Sequence, residues 1–532
     1  MRINKIYLTI LISILLLSAF GVEGQENSKY NEEMTNRMDW WEDARFGMFL
    51  HWGVYSAFGG EWENNDYGKE MGGPSAEWIY LKADITKSAY QEAALQFNPI
   101  HYNPKEWVKM AKDAGMKYMV LTSKHHDGFA MFDTDASDWN IMQASKYKLD
   151  IIKSYVDECH KQGMRIGLYY SHEKDWIHSK KVRKDTSKIT EEYKLIVQTH
   201  LKELLGNYGQ IDLIWFDMGI SEHEELNKMC YKMVREYQPN CIISSRIGSG
   251  LGDYKNLGDR ELAQPGDDRY VESIMTLRLN WGFDHNDSEW KSSDELISML
   301  SKCACRNSNF LLNIGPSADG RFSPEEVSRL ENMGEWMNSN SEAIYCTEGS
   351  PFKGEYLWGS LTHNKNKVYL HLFGDYGKSI EVNGISSQIK KAYWLHNNTK
   401  VEFSQNLAKS ELDISLSGEY KDQTVPILVL ELDDNLQVNL QKGPNWLAEP
   451  IQHTARESIY GEIISVEGST FTLKFDDKLR EFSFNDNTIY RVNKNGSIEL
   501  VNGYYPEIGK TYRITYRVSD KGLAQIITEI IN

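Results

Sequence analysis

The chain lacks a basic surplus. Its 532 residues carry 59 Lys and Arg against 76 Asp and Glu, for a net charge of −17. That balance excludes nucleic acid and anionic membrane surfaces as partners, because both are held by a basic footprint. No CxxC pair or zinc-finger spacing occurs among the six cysteines at 159, 230, 241, 303, 305 and 346. They read as scattered, mostly buried thiols and not as a disulfide framework or a metal site. No repeat of fixed period is present. A bilayer-spanning run is also missing, since a span needs ~20 apolar residues and the apolar stretch Ile6 to Phe20 ends before Gly21 and Glu23.

That stretch follows Arg2 and Lys5 and leads into small residues near Gly24. The order is that of a secretory signal peptide over residues 1–24, with no membrane attachment expected after cleavage and a periplasmic or extracellular address. What remains is too long for one core and predicts two or three domains. A hydrophobic content of 41% and an aromatic content of 12%, with 15 Trp and 30 Tyr, exclude wholesale disorder. Aromatic ring faces also suit the C–H faces of pyranoses. Assembly into a homo-oligomer is compatible with everything in the chain.

From about residue 40 to 340, short apolar runs alternate with stretches of helical period, the pattern of parallel βα units. Candidate strands are 46–53, 116–126, 164–171, 210–217, 241–248 and 310–316; candidate helices are 104–115, 149–163, 190–209, 224–237 and 293–307. The fold expected is α/β, a (β/α)8-like TIM barrel over 25–344. Short alternating strands then predict a C-terminal β-sandwich over 345–437 and a further small all-β domain, barrel or sandwich, over 445–532.

In such a barrel the active site is built at the C-terminal ends of the strands, and here those ends are polar. His51, the pair His125 and His126, the pair Tyr169 and Tyr170, Asp217 and Arg246 each close a candidate strand. Asp217 follows the apolar IDLIWF beside Trp215, where a carboxylate could attack an anomeric carbon as retaining glycosidases require; a helix-capping Asp is the other reading. The second carboxyl group falls in the Gly-rich segment after Arg246, which offers Asp253, Asp259, Glu261, Asp267, Asp268 and Glu272. EF-hand and HExxH spacings are absent, so neither metal nor cofactor is expected, and the histidines are read as partners of sugar hydroxyls. Trp62, Glu77 and Trp78 would add a stacking wall and an acceptor.

The motifs RFGMFLHWGVYS, AEWIY, FNPIHYNPKEWVKMAKDAGMKYMVLTSKHHDGFAMFDT, GLYYS, IDLIWFD, NFLLNIGPSADGRF and GEWMNSNSEAIY resemble those of the α-L-fucosidases of glycoside hydrolase family twenty-nine, from about Trp40 to residue 435. The resemblance implies Asp217 as nucleophile, and His51, Glu77, Trp78, His125, His126, Tyr170 and Arg246 as the pocket for fucose hydroxyls. It implies Trp281 as the aromatic against the fucose methyl group. Tyr169 takes the place of Tyr170 if the strand faces the other way. Asp259 is the first choice of acid/base, then Glu272, then Glu261. The implied substrate is a fucosylated glycan or glycoconjugate, with α-L-galactosides, or binding without catalysis, as alternatives.

Overall fold

The computed structural model describes residues 32–444 apart from 69–74, 179–188, 220–222, 267–269, 375, 418–419 and 421–422, together with most of the backbone between 456 and 531. The expected signal peptide, Asp267 and Asp268 lie outside the described residues.

Eight parallel strands form the ring: β1 Phe46–Leu50, β2 Tyr118–Lys124, β3 Arg165–Ser171, β4 Leu213–Asp217, β5 Ile242–Ile243, β6 Lys255–Asn256, β7 Val271–Thr276 and β8 Ser308–Ile314. They pair in the order β5-β4-β3-β2-β1-β8-β7-β6. A parallel bridge between Ser244 and Tyr254 closes β5 onto β6, reinforced by the Asp253 N–H donating to the Ile243 carbonyl at 2.8 Å. Sequence reading found six of these strands. It took the segment holding β6 and β7 for a loop, because β6 is two polar residues long and β7 reads VESIMT, with a carboxylate second.

The strands are buried on both faces, as in parallel sheets flanked by helices, and successive side chains still alternate. Phe49, Tyr118, Val120, Tyr169, Leu213, Trp215, Ile274 and Leu311 point inward and form one cluster. Met48, Leu50, Leu121, Leu168, Tyr170, Phe216 and Leu312 point outward into the helical layer.

Helices α1 Pro104–Asp113, α2 Ile151–Gln162, α3 Glu191–Gly206, α4 Glu224–Tyr237, α5 Ser293–Cys305 and α6 Pro324–Asn340 wrap the ring. Local chemistry sets their ends. Asn103, Asp150 and Thr190 cap α1, α2 and α3, and α2 stops at Gly163, whose φ of 69° favours a residue without Cβ. Ser292 with Glu295, and Ser323 with Glu326, form capping boxes on α5 and α6, each Ser contributing about 1 kcal/mol. The β5–β6 crossover carries only a 3-10 turn, Ser245–Ile247, and among the described residues β6 passes to β7 without a helix.

Past α6, a four-stranded antiparallel sheet (Gly359–Asn364, Lys367–Leu372, Ile389–Trp394 and Ile427–Leu432) faces a three-stranded one (Ser379–Glu381, Glu402–Asn406 and Glu411–Ser415). Leu361, Leu370, Trp394 and Leu430 share a core with Ile380, Leu412 and Ile414, which makes this a β-sandwich. It is fastened to the barrel by a buried bidentate pair, with Arg306 Nε and Nη2 donating to the two oxygens of Glu355 at 2.8 and 2.9 Å. The described strands between Arg456 and Ile531 pair into one seven-stranded, largely antiparallel sheet.

Candidate active site

Asp217 is the last residue of β4 and sits at the mouth of the ring, 7% exposed. Tyr169 Oη donates to its Oδ2 at 2.8 Å. The Met218 N–H turns back, at a φ of 67°, to donate to Oδ1 at 2.9 Å. Arg246 Nη1 donates to Oδ1 at 3.4 Å. Burial alone would push this carboxyl up, but the Arg246 guanidinium and the Tyr169 hydroxyl outweigh it. The group is held below the ordinary Asp range and is an anion at neutral pH.

Arg246 also lies over the Trp215 ring, 5.1 Å from its centroid, and its Nη2 donates to Asp259 Oδ1 at 2.5 Å. One guanidinium therefore holds both carboxylates. The two differ in setting: the Asp217 side chain is 10% exposed and that of Asp259 is 50% exposed.

Three imidazoles stand beside Asp217. His51 Nδ1 is 2.6 Å from Asn313 Oδ1, and its ring packs on Trp281 at 5.1 Å. His125 stacks on Tyr169 at 5.3 Å, and its enclosed Nδ1 has no protein partner. His126 Nδ1 is 2.7 Å from Ser171 Oγ. That hydroxyl donates its only proton to the Lys174 carbonyl at 3.0 Å, so it accepts from Nδ1–H. The Nε2 of His126, 3.5 Å from Asp217 Oδ2, is then a lone-pair acceptor. Burial drives His51 down to about 4, and pushes His125 and His126 well below the usual range. All three are neutral at pH 7.

Glu77 and Trp78 come from a 3-10 turn, Ala76–Trp78. Trp78 sets its edge against His126 at 5.1 Å. Glu77 is 2% exposed, accepts the Gly282 N–H at 3.0 Å, and is pushed up to about 7 by burial. Trp281, next to Gly282, is 7% exposed and carries the Arg260 guanidinium 5.1 Å above its ring. Rings thus surround Asp217, and inside the barrel Trp215 and Phe49 pack with their centroids 4.9 Å apart.

Five sequence-based expectations are revised by this geometry. Tyr170 turns outward, its Oη 2.9 Å from His200 Nδ1 on α3, and Tyr169 is the tyrosine in the barrel. Glu272 is strand-borne and 0% exposed, receiving Trp215 Nε1 and Asn256 Nδ2 at 2.8 Å each and Tyr118 Oη at 3.1 Å. It lies beneath the Trp215 indole and is no mouth carboxylate. Burial pushes it up to about 7. Asp253 pairs with Arg37 at 2.9 Å and Arg235 at 2.5 Å and fixes the end of β5. Trp62 stands half-buried in the hairpin Glu61–Trp62/Asn65–Asp66, against Phe58 at 5.8 Å, and touches none of the pocket rings. Glu261 accepts the Gly258 N–H at 2.9 Å and closes an exposed turn.

Sequence reading missed Asn313, Ser171 and Arg260. Asn313 and Ser171 are polar residues near or at the ends of apolar strands, the signal that exposed Asp217. Arg260 lies in a segment without periodicity. Among the described residues no group of three or more His, Cys, Asp and Glu side chains is arranged to hold a metal ion, and no helix is long and apolar enough to cross a membrane.

Residues 18–342 match the family model for alpha-L-fucosidase. The human plasma alpha-L-fucosidase is 30% identical over 329 residues, 58% of this chain and 69% of that protein. A Bacteroides thetaiotaomicron alpha-L-fucosidase solved as a trapped covalent intermediate is 26% identical, with a TM-score of 0.68, over 76% of this chain and 96% of that one. The alpha-L-fucosidase of Vibrio sp. strain EJY3 is also 26% identical, with a TM-score of 0.70, but covers 93% of this chain and 97% of its own, so that likeness extends beyond the sandwich. The barrel, with the Asp217 anion among its three imidazoles, belongs to a chain of the α-L-fucosidase family of glycoside hydrolases.

Proposed function

We propose that the protein is a retaining exo-α-L-fucosidase that removes terminal α-L-fucose from glycans by double displacement. The observation that carries this is Asp217, held as an anion by Tyr169, the Met218 N–H and Arg246 at the barrel mouth. In the first half-reaction a carboxylate oxygen of Asp217 attacks the anomeric carbon. The bond to the leaving oxygen breaks as Asp259 delivers a proton to it. In the second half-reaction Asp259 takes a proton from water, the water oxygen attacks the same carbon, and fucose leaves as Asp217 is freed. Asp259 suits the acid/base role because Arg246 ties it to the nucleophile and because its exposure lets it exchange protons with solvent.

The neutral imidazoles and Glu77 supply acceptors for the ring hydroxyls, and Trp281 supplies an apolar face for the methyl group. Rings of Trp78, Tyr169 and Trp281 beside the histidines suit a terminal sugar with one apolar face. The same machinery would accept α-L-galactosides, since apolar pockets reject an added hydroxyl by only ~10²-fold. Export through the N-terminal segment, to the periplasm or the outside, belongs to the same proposal.

The test is hydrolysis of an aryl α-L-fucoside with the anomeric configuration of the first-formed sugar read by NMR. α-L-Fucose as initial product supports the proposal. β-L-Fucose would replace double displacement with inversion. An inactive chain that still binds L-fucose would turn it into a binding protein.

A further inference from the structure

Asn313 stands in β8, 1% exposed, beside Phe49 of β1. Its Nδ2 donates to the Trp281 carbonyl at 2.8 Å. A carbonyl oxygen only accepts, so the amide NH2 faces Trp281 and Oδ1 faces His51. At 2.6 Å from Oδ1, His51 Nδ1 must carry the hydrogen. A neutral imidazole protonated at Nδ1 has a bare Nε2, and the tautomer is set by the bond its other nitrogen makes. Among the described residues no protein group occupies that Nε2.

We propose that Asn313 is a positioning residue that locks His51 in the Nδ1–H tautomer, leaving Nε2 to accept a hydroxyl hydrogen of the sugar, and ties this imidazole to the Trp281 backbone. The sugar in this statement rests on the fucosidase reading; the tautomer does not. One side chain thereby couples the hydroxyl-binding and methyl-facing walls, which come from β1 and from the segment after β7. The charged and titratable groups around the His51 ring are Asp217, Asp259 and Arg246, with His125, His126 and Tyr169 from β2 and β3. None of them contacts Nδ1, so the proton is set there by Asn313.

Two variants separate the roles. Asn313→Leu removes the acceptor and the tie to Trp281. Asn313→Asp keeps an acceptor of the same size but places an anion on Nδ1, which favours the imidazolium. His51 then charges at a higher pH, Nε2 becomes a donor, and activity falls away as pH drops through that raised value. Expected for Asn313→Asp is an acid limb of kcat/KM displaced upward by at least about one pH unit, with activity recovering toward alkaline pH. Expected for Asn313→Leu is a loss of roughly ten- to a hundredfold in kcat/KM at all pH values, the scale of one misplaced hydrogen bond to substrate.

The direct reading is the 15N spectrum of the protein labelled at histidine, with His51 assigned by its disappearance in His51→Gln. The proposal expects a protonated Nδ1 and a bare Nε2 at pH 7, an Nε2 signal that moves when L-fucose is added, and loss of the single tautomer in Asn313→Leu. An Nε2–H form in the unaltered protein, an unmoved Nε2 signal with fucose bound, or an unchanged tautomer in a folded Asn313→Leu overturns it. If Asn313→Leu does not fold, the acid limb of Asn313→Asp decides. A chain inactive on every fucoside refutes the fucosidase reading, and the 15N spectrum then still decides the tautomer.

Discussion

The barrel has two unlike arcs. Strands β8, β1, β2, β3 and β4 are five to seven residues long and buried throughout apart from Arg165, and each is followed by at least one helix. Strands β5 and β6 are two residues each, and among the described residues no α-helix stands between either and the next strand. The long arc bears Asp217 and the three imidazoles; the short one bears Arg246, Asp259 and Arg260. Asp217 and Tyr169 stand on the long strands, whose side chains are packed apart from Arg165, and the three imidazoles directly follow those strands. Asp259, the proposed acid/base, stands on an exposed turn. The division follows from what packing does: it immobilises and also dehydrates.

The largest effect expected from breaking this arrangement is at Asp217. Asp217→Ala should lower kcat on the order of 10⁴-fold or more, and azide should restore turnover as β-fucosyl azide. Asp259→Ala should cost on the order of 10²- to 10³-fold on substrates with poor leaving groups and less on activated aryl fucosides. Azide should then yield the α-configured azide, because the nucleophile remains. The configuration of the azide product tells the two arcs apart in one assay.

Tyr169→Phe should lower kcat roughly tenfold by removing one hydrogen bond to the nucleophile. Tyr170→Phe should leave kcat unchanged and lower stability by about 1 kcal/mol, read by thermal unfolding, because its hydroxyl meets only buried His200. These neighbours were not separable in sequence. In a strand buried on both faces, GLYYS carries no alternation to say which ring turns inward. The long arc was otherwise legible, since IDLIWFD and its relatives are apolar runs ending in a polar group. The short arc was not, because two-residue strands leave no periodic trace. Glu272 reads as a second choice of acid/base in a loop because the carboxylate in VESIMT interrupts the apolar run of β7. Asn313, polar within the apolar NFLLNIGP, was visible but was not weighed; nor was the SPEE capping box that begins α6.

Glu272 sharpens the comparison at lower amplitude. Burial raises it to about 7 from an ordinary 4.5, so the folded state binds its proton more tightly than the unfolded state. The stability it contributes is complete below about pH 4.5 and is lost as pH rises to about 7, by roughly 3 kcal/mol at most. Glu272→Gln should flatten that slope in denaturant titrations while keeping turnover. Loss of turnover on alkyl fucosides with azide rescue in this variant would make Glu272 the acid/base in place of Asp259.

The central claim is that Asp217 forms a covalent bond to the sugar. It is tested most directly by incubating the protein with 2-deoxy-2-fluoro-fucosyl fluoride and mapping the labelled peptide by mass spectrometry. The account predicts one fluorofucosyl group per chain, on the peptide containing Asp217, and none in Asp217→Ala. A label on another carboxylate, or turnover of fucosides with no labelled species at any time, would contradict it.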